Sequence, residues 1–321
     1  MKKILFNLIV IVIGLILVSF SPAQAKFPVH PINVIVYLKP GGAGDVFVRR
    51  FEKIAAKYTD AKFVVFNKTG AGGLVAMQYI VSGKPDGYNL AYVTKSNIAK
   101  FAEADAKIKI DDLDWLAMLV SDPESLIVNK NSPIRTLDQI IADAKAKKGA
   151  QLWVGPAAGG NDHIMARKTW RALGIGAKWV PFESGEEAMV VLMGGHAVVY
   201  VGNPGDVTGR PDLENVVISA PKRLGGVWAH IPTFKELGVS GLDEEIMWRG
   251  FAIKKGIPEE VRKFYQDLIM KVSSDPQWRK YIEEEGADPV FYKDEKFKEL
   301  VKEDFKDFTE ALKELDAAKP K

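Results

Sequence analysis

Tyr37-Leu-Lys-Pro-Gly-Gly-Ala-Gly-Asp45 closes the apolar run Val34 to Leu38 and leads into Phe47, Phe51, Ile54, Ala55 and Tyr58 at helical spacing. A strand, a glycine turn and an amphipathic helix are written into that stretch. The unit recurs at once: Phe63 to Phe66, then Asn67-Lys-Thr-Gly-Ala-Gly-Gly73, then a second helical pattern. A helix start carries unpaired backbone N–H groups and the positive end of the helix dipole, and glycine lets a carboxylate or phosphate come close to that backbone. Two such loops on neighbouring parallel strands address one anionic ligand.

Outward from these loops, short β-rich runs continue to alternate with helical periodicity. Leu90 to Val93, Leu116 to Val120, Leu126 to Val128, Leu152 to Val154, Lys178 to Val180, Ala197 to Val201, Val216 to Ile218 and Phe251 to Ile253 read as strands. Leu137, Ile140, Ile141 and Ala144 share a helical face. This alternation predicts an α/β protein with parallel sheets. The C-terminus reads as helices without strands: Val261, Phe264, Leu268 and Val272 mark one, and Phe297, Leu300, Val301, Phe305, Phe308, Leu312 and Leu315 a long last one. Ser121-Asp-Pro-Glu-Ser125 and Trp248-Arg-Gly250 read as two crossings between lobes. Lobe one is expected at 26–126 plus 249–321, and lobe two at 127–248.

Lys2 and Lys3 ahead of the apolar run Leu8 to Val18, followed by Ser21-Pro-Ala-Gln-Ala25, have the layout of a secretory signal peptide cut after about Ala25. The run falls short of the roughly 20 apolar residues that span a bilayer. No cysteine occurs, so neither a lipid anchor nor a disulfide framework is available, and the periplasm is the expected compartment. Losing Lys2 and Lys3 takes the formal charge from +3 to +1. A chain so near neutrality is not a nucleic-acid binder on electrostatic grounds. His30, His163, His196 and His230 are scattered without ligand spacing, so no metal is expected.

The chain resembles the periplasmic solute-binding proteins of tripartite tricarboxylate transporters, the Bug or TctC-like family. The likeness rests on an ordered set of pieces: Pro31-Ile-Asn-Val-Ile-Val36, Pro40-Gly-Gly-Ala-Gly-Asp45, Asn67 to Gly73, Pro85-Asp-Gly-Tyr88 and Gly155 to His163. Val180-Pro-Phe182, Met193-Gly-Gly195, Ile231-Pro-Thr-Phe234 and Trp248-Arg-Gly-Phe251 complete it. The resemblance implies a two-lobed periplasmic binding protein of type II, a Venus flytrap with the ligand cleft between lobes. It implies a mono- or dicarboxylate ligand, integral membrane subunits as partners, no cofactor and a monomer. The backbone positions that hold a carboxylate in this family map onto Gly41, Gly42, Ala43 and Gly44, and onto Thr69, Gly70, Ala71 and Gly72.

Other candidates follow from their places in the chain. Asp45 either caps the helix it opens or accepts from a ligand hydroxyl or ammonium group. Ser96 and Lys95 stand at the carboxyl end of a strand, where open α/β sheets place ligands, and Lys95 is a candidate partner for a distal carboxylate. In Gly155-Pro-Ala-Ala-Gly-Gly-Asn-Asp162, Gly159 and Gly160 form a third loop, and Asn161 or Asp162 is expected to cap the next helix. This stretch departs from the family's small-polar-Gln-His pattern, and Asn161 stands in for the hydroxyl residue usual there. His163 is expected to support the loop. Phe182 either covers an apolar ligand body or belongs to the core. Asn203 is a candidate by analogy, weakened because Val198 replaces the family's usual aspartate. Trp248 and Arg249 are assigned to hinge packing.

Enzyme readings find little support. There is no thiol, no Gly-x-Ser-x-Gly elbow and no phosphate-binding Gly-x-x-x-x-Gly-Lys-Ser/Thr loop. Gly42-Ala-Gly-Asp-Val-Phe47 and Gly70-Ala-Gly-Gly-Leu-Val75 put a bulky apolar residue where a dinucleotide fingerprint needs its third glycine. The sequence therefore predicts capture of a small organic carboxylate for a tripartite transporter. The alternatives are a sensor component signalling to a membrane kinase and a secreted enzyme acting on a carboxylated substrate.

Overall fold

The computed structural model describes residues 26–103 and 107–317. The signal-peptide segment lies outside them. Among the described residues no helix is long and apolar enough to cross a membrane.

Two mixed sheets form the frame. The first has the order β11-β4-β10-β3-β1-β2, built from β1 (Ile32–Val36), β2 (Phe63–Asn67), β3 (Asn89–Thr94), β4 (Leu113–Pro123), β10 (Ile246–Lys254) and β11 (Asp288–Lys293). β1 pairs in parallel with β2 and β3, whereas β10 runs antiparallel to both β3 and β4, and β11 antiparallel to β4. The second has the order β7-β6-β8-β5-β9, from β5 (Ser125–Asn129), β6 (Leu152–Pro156), β7 (Lys178–Phe182), β8 (Val199–Gly202) and β9 (Leu213–Ile218). Here β6 is parallel to β7 and β8, and β5 is antiparallel to β8 and β9. The expectation of parallel sheets holds only for the trios β2-β1-β3 and β7-β6-β8. β11 corrects the reading of a strandless C-terminus: its partly exposed Asp-Pro-Val-Phe-Tyr-Lys run at a sheet edge lacks the apolar signature of a buried strand.

The helices lie on both faces of each sheet. α1 (Ala43–Ala55), α7 (Glu259–Ser274) and α8 (Pro276–Glu284) pack one face of the first sheet through Phe47, Phe51, Leu268 and Trp278. α2 (Leu74–Ser82), α3 (Lys95–Phe101) and the long α9 (Asp294–Ala317) cover the other through Met77, Ile98 and Phe297. The second sheet is covered by α4 (Leu137–Lys147) and α5 (Asn161–Leu173) on one side and α6 (Gly185–Met193) on the other.

The chain passes from β4 to β5 through Glu124 and returns through Glu245, and the two crossings lie side by side: the Glu124 N–H donates to the Glu245 carbonyl at 3.0 Å. β4 also carries register shifts opposite Arg249–Gly250 and Phe251–Ala252. Gly250 is required at the first shift, because a Cβ there would lie 2.4 Å from the Ala117 carbonyl oxygen. Bulges bend a strand and re-aim its side chains, and these sit just before the crossing.

Candidate functional site

A cleft of about 260 Å³ opens between the sheets where their parallel strands end. The turns after β1, β2, β6 and β7 all face it, each leading into a helix N-terminus. That is the position open α/β sheets reserve for ligands.

From the first sheet, Gly42 and Ala43 open α1. Gly42 has ordinary extended dihedrals as the N-cap, and a Cβ built there would point between the Lys39 carbonyl and Glu186 across the cleft. Thr69, Gly70, Gly72 and Gly73 form the second turn, with φ of +127° at Gly70 and +62° at Gly72. L side chains rarely adopt that backbone, so the turn's shape depends on these glycines. Ser96 reaches the cleft from α3, and Gly160 from the start of α5. Asn203 lies on the floor, its amide donating to the Pro123 carbonyl at 3.1 Å and its oxygen accepting from Arg249 at 3.4 Å.

The remaining expected site residues lie outside the cleft wall. Asp45 is 3% exposed, and its carboxylate accepts from the Gly41 N–H at 3.0 Å, Arg49 at 2.8 Å and Asn67 at 3.0 Å. Burial works to raise its pKa, but these donors outweigh it and hold the carboxyl below the usual range. It braces the first turn against the second from outside the cleft wall, and the N-cap is Gly42 rather than Asp45. Gly44 is packed where a Cβ would meet the Tyr92 ring at 2.6 Å, and Gly41 and Ala71 sit beside the cleft rather than in its wall. Asn161 is 4% exposed and donates to Glu124 at 2.5 Å instead of capping α5, whose N-cap is Gly160. Gly159 donates its N–H to His163 Nδ1 at 3.0 Å, and His163 stacks on Trp179. Phe182 is partly buried and packs with the α6 core beside the cleft rather than in its wall. Lys95 pairs with Asp304 of α9 at 3.1 Å, so it is not free for a distal carboxylate.

Sequence reasoning missed several lining residues. Tyr37, Tyr92, Thr94, Asp162, Tyr200, Asp206, Met247 and Arg249 all face the cleft. Tyr92 and Tyr200 read as ordinary strand residues, Asp162 as a cap and Arg249 as hinge packing. Arg249 is half-buried and ion-paired with the buried Asp122. Its guanidinium is the only cation of the floor, among the described residues, that reaches the cleft from the crossing strands.

A model of the family described as "Tripartite tricarboxylate transporter family receptor" matches residues 47–316. The chain belongs to this family. Among curated relatives, the "UPF0065 protein in gbd 5'region" of Cupriavidus necator is 27% identical over 319 residues, covering 93% of this chain and 92% of its own. Among solved structures, MatC (Rpa3494) from Rhodopseudomonas palustris with bound malate superposes with TM-score 0.79 at 20% identity, covering 89% of this chain and 99% of that one. R. palustris Rpa4515 with adipate gives TM-score 0.82 at 19% identity, covering 90% and 98%. At such identities the structural likeness shows the fold, a two-lobed periplasmic binding protein.

As a TctC-family receptor the protein is a solute-binding protein, and buried acids stand in and behind its cleft. Burial pushes Asp122 up to about 7 even with the Arg249 guanidinium pulling it down. Burial, with Asp206 nearby, pushes Asp162 up to about 7 as well. Glu124, wholly buried, is raised by burial and then by Asp162. His163 is held down at about 4 by burial and Arg167, so it stays neutral, and because Nδ1 accepts from Gly159 the proton sits on Nε2.

These shifts set a direction for stability. Between pH 7 and about 4 the folded receptor keeps protons on Asp122 and Asp162 that the unfolded chain has lost, so stability falls as pH rises through that window. His163 contributes in the opposite sense, as one group against two. The melting temperature of the unliganded receptor is expected to rise as pH is lowered from 8 to 5. A melting temperature that falls over that interval contradicts the burial of these acids. Below that window the trend reverses, because Asp275 sits at about 2: burial raises it, but donors from Lys57 and Tyr58 outweigh burial.

Proposed function

We propose that this receptor captures a small organic acid in the interlobe cleft and delivers it to integral membrane subunits of a tripartite tricarboxylate transporter. In this reading residues up to about Ala25 are removed on export, and the mature protein works in the periplasm without a cofactor. The observation that carries the reading is the convergence of two glycine turns from the first sheet, and two helix starts from the second, on one cavity. One ligand carboxylate rests on backbone N–H groups around Gly42, Ala43, Thr69 and Gly70. Burying a carboxylate costs several kcal/mol unless its oxygens are hydrogen-bonded, so several donors must converge. The ligands of MatC and Rpa4515, malate and adipate, are both small carboxylates, which supports this reading.

Closure of the lobes follows from donors on both walls: a ligand that touches both shifts the population toward the shut form. Lys39 of the first turn already meets Glu187 of α6 across the mouth at 2.7 Å. That exposed pair is weak and screened by salt, which suits a contact that must break for release.

A thermal-shift screen of mono-, di- and tricarboxylates and amino acids tests the reading, since a bound ligand raises the melting temperature by mass action. Gly42→Val is the decisive variant: its extended dihedrals tolerate a side chain, the Lys39 carbonyl 3.2 Å from the new Cβ has only to give slightly, and the added methyls point toward the anion position. It is expected to weaken binding by about tenfold or more, equivalent to about 1.4 kcal/mol, with the melting temperature of the unliganded protein retained. Gly70→Val is a poorer probe, because its φ of +127° and a Cβ 2.9 Å from Val75 strain the turn itself. Unchanged affinity in Gly42→Val removes the first turn from the site.

A further inference from the structure

The charges facing the cleft are unequal in a way that bears on the ligand. Three cations line it, and each already has a carboxylate partner: Lys39 with Glu187, Lys100 with Glu103, and Arg249 with Asp122. Lys95, just behind, is held by Asp304. Four acids line the same cleft: Asp162, Glu183, Glu186 and Asp206. Asp162 is only 4% exposed, faces the cavity, and has no cationic partner among the described residues. Behind it Glu124 is fully buried, and its Oε2 has no hydrogen-bond partner. Asp206 accepts from the Tyr200 hydroxyl and the Asn203 N–H, both at 3.0 Å, but makes no ion pair among the described residues. Tyr92, 1% exposed, also lines the cleft.

A second carboxylate on the ligand would therefore meet paired cations and unpaired acids. A buried carboxylate without a counter-charge is costly, and an opposite charge within a few ångströms relieves it. An ammonium group, with its three donors and no acceptor, fits what the second wall offers.

We propose that the ligand of this receptor is an amino-substituted carboxylate, an acid that also carries a protonated amine. Its carboxylate lies on the glycine turns of the first sheet and its ammonium group on Asp162 and Asp206 of the second. The inference rests on the carboxylate reading above and adds the group at the other end of the molecule. Asp162 holds the ammonium directly. Asp206 supplies the second acceptor.

Matched probes separate the two readings. The titration uses the mature receptor with the linear dicarboxylates from succinate to adipate, with the counterparts in which one carboxylate is replaced by an amine (glutarate against 4-aminobutanoate, for example), and with L-aspartate and L-glutamate. An amino acid is expected to bind at least tenfold tighter than the dicarboxylate of the same length. Asp162→Asn is expected to weaken that amino acid by about thirtyfold or more and to strengthen the dicarboxylate, reversing the order. Asp206→Asn is expected to shift the preference the same way by a smaller factor, and serves as the reading if Asp162→Asn melts below the assay temperature. A dicarboxylate that binds as tightly as its amino counterpart in the native receptor, and is lost in Gly42→Val, overturns the ammonium assignment while leaving the carboxylate reading standing. Should no member of either series bind, both are overturned.

Discussion

Arg249→Met is expected to destabilise the receptor by about 3–5 kcal/mol at pH 8, because it leaves the Asp122 carboxylate buried with no counter-charge. Asp122 is 3% exposed on β4, and Arg249 is its ion-pair partner across the strand pair. Urea melts check this, and pH supplies an internal control. Burial already pushes Asp122 up to about 7, so at pH 5 the side chain is protonated in the variant and the cost shrinks. Asp122→Asn in the same chain is expected to recover most of the loss at pH 8. A cost below about 1 kcal/mol at pH 8, the scale of an exposed pair, would mean that the pair is solvated and does not anchor the floor of the cleft. Binding should suffer in the variant even where it folds, since the Arg249 guanidinium also orients the Asn203 side chain.

Trp248→Ala carries the second large effect, about 3–5 kcal/mol for deleting a fully buried aromatic. Trp248 is 0% exposed and packs edge-on to Phe297 of α9, with ring centroids 5.1 Å apart, and to Trp115 at 6.3 Å. Its indole N–H donates to Asp304 of α9 at 2.6 Å, and Asp304 in turn holds Lys95. The residue thus fastens the long last helix to the strand that leaves the crossing. Trp248→Phe separates packing from the hydrogen bond: it keeps most of the ring contact and is expected to cost about 1–3 kcal/mol for the acceptor left short of a donor. Equal costs for the two variants would assign the whole effect to the N–H and none to the ring contacts.

α9 does more than cover one sheet. Leu312 lies 3.1 Å from where a Cβ on Gly159 would be, and Arg171 of α5 pairs with Glu314 at 2.5 Å. Ile164, also on α5, joins the apolar cluster of Phe297 and Phe308. The last helix therefore bears on both lobes beside the crossing strands, which ties the packing of Trp248 to the relative placement of the two cleft walls.

Much of the frame was legible because local pattern and global fold agree here. Ten of the eleven strands coincide with runs such as Leu90 to Val93 and Leu126 to Val128, whose continuous apolar character marks strands buried on both faces. The glycine turns were legible for the same kind of reason: Gly70 and Gly72 stand where only glycine is comfortable, and that requirement is local. β11 was not, since its residues are half-exposed and polar and its place was decided by pairing with β4. Nor were the antiparallel returns of β10 and β5, because strand direction depends on where the crossings enter.

Side-chain duties divided along the same line. Asp45, Asn161 and Asp162 are small polar residues beside helix starts, identical in local pattern. Only the packed molecule turned Asp45 onto Arg49 and Asn67, Asn161 onto Glu124, and Asp162 into the cleft. The sequence by itself determined the strand-and-helix units and the turns that offer backbone N–H groups, since dihedral preference and hydrophobic period act over a few residues. The tertiary structure alone decided that Arg249 is spent on Asp122 while Asp162 has no cation beside it among the described residues, because charge balance is a property of groups brought together from distant parts of the chain.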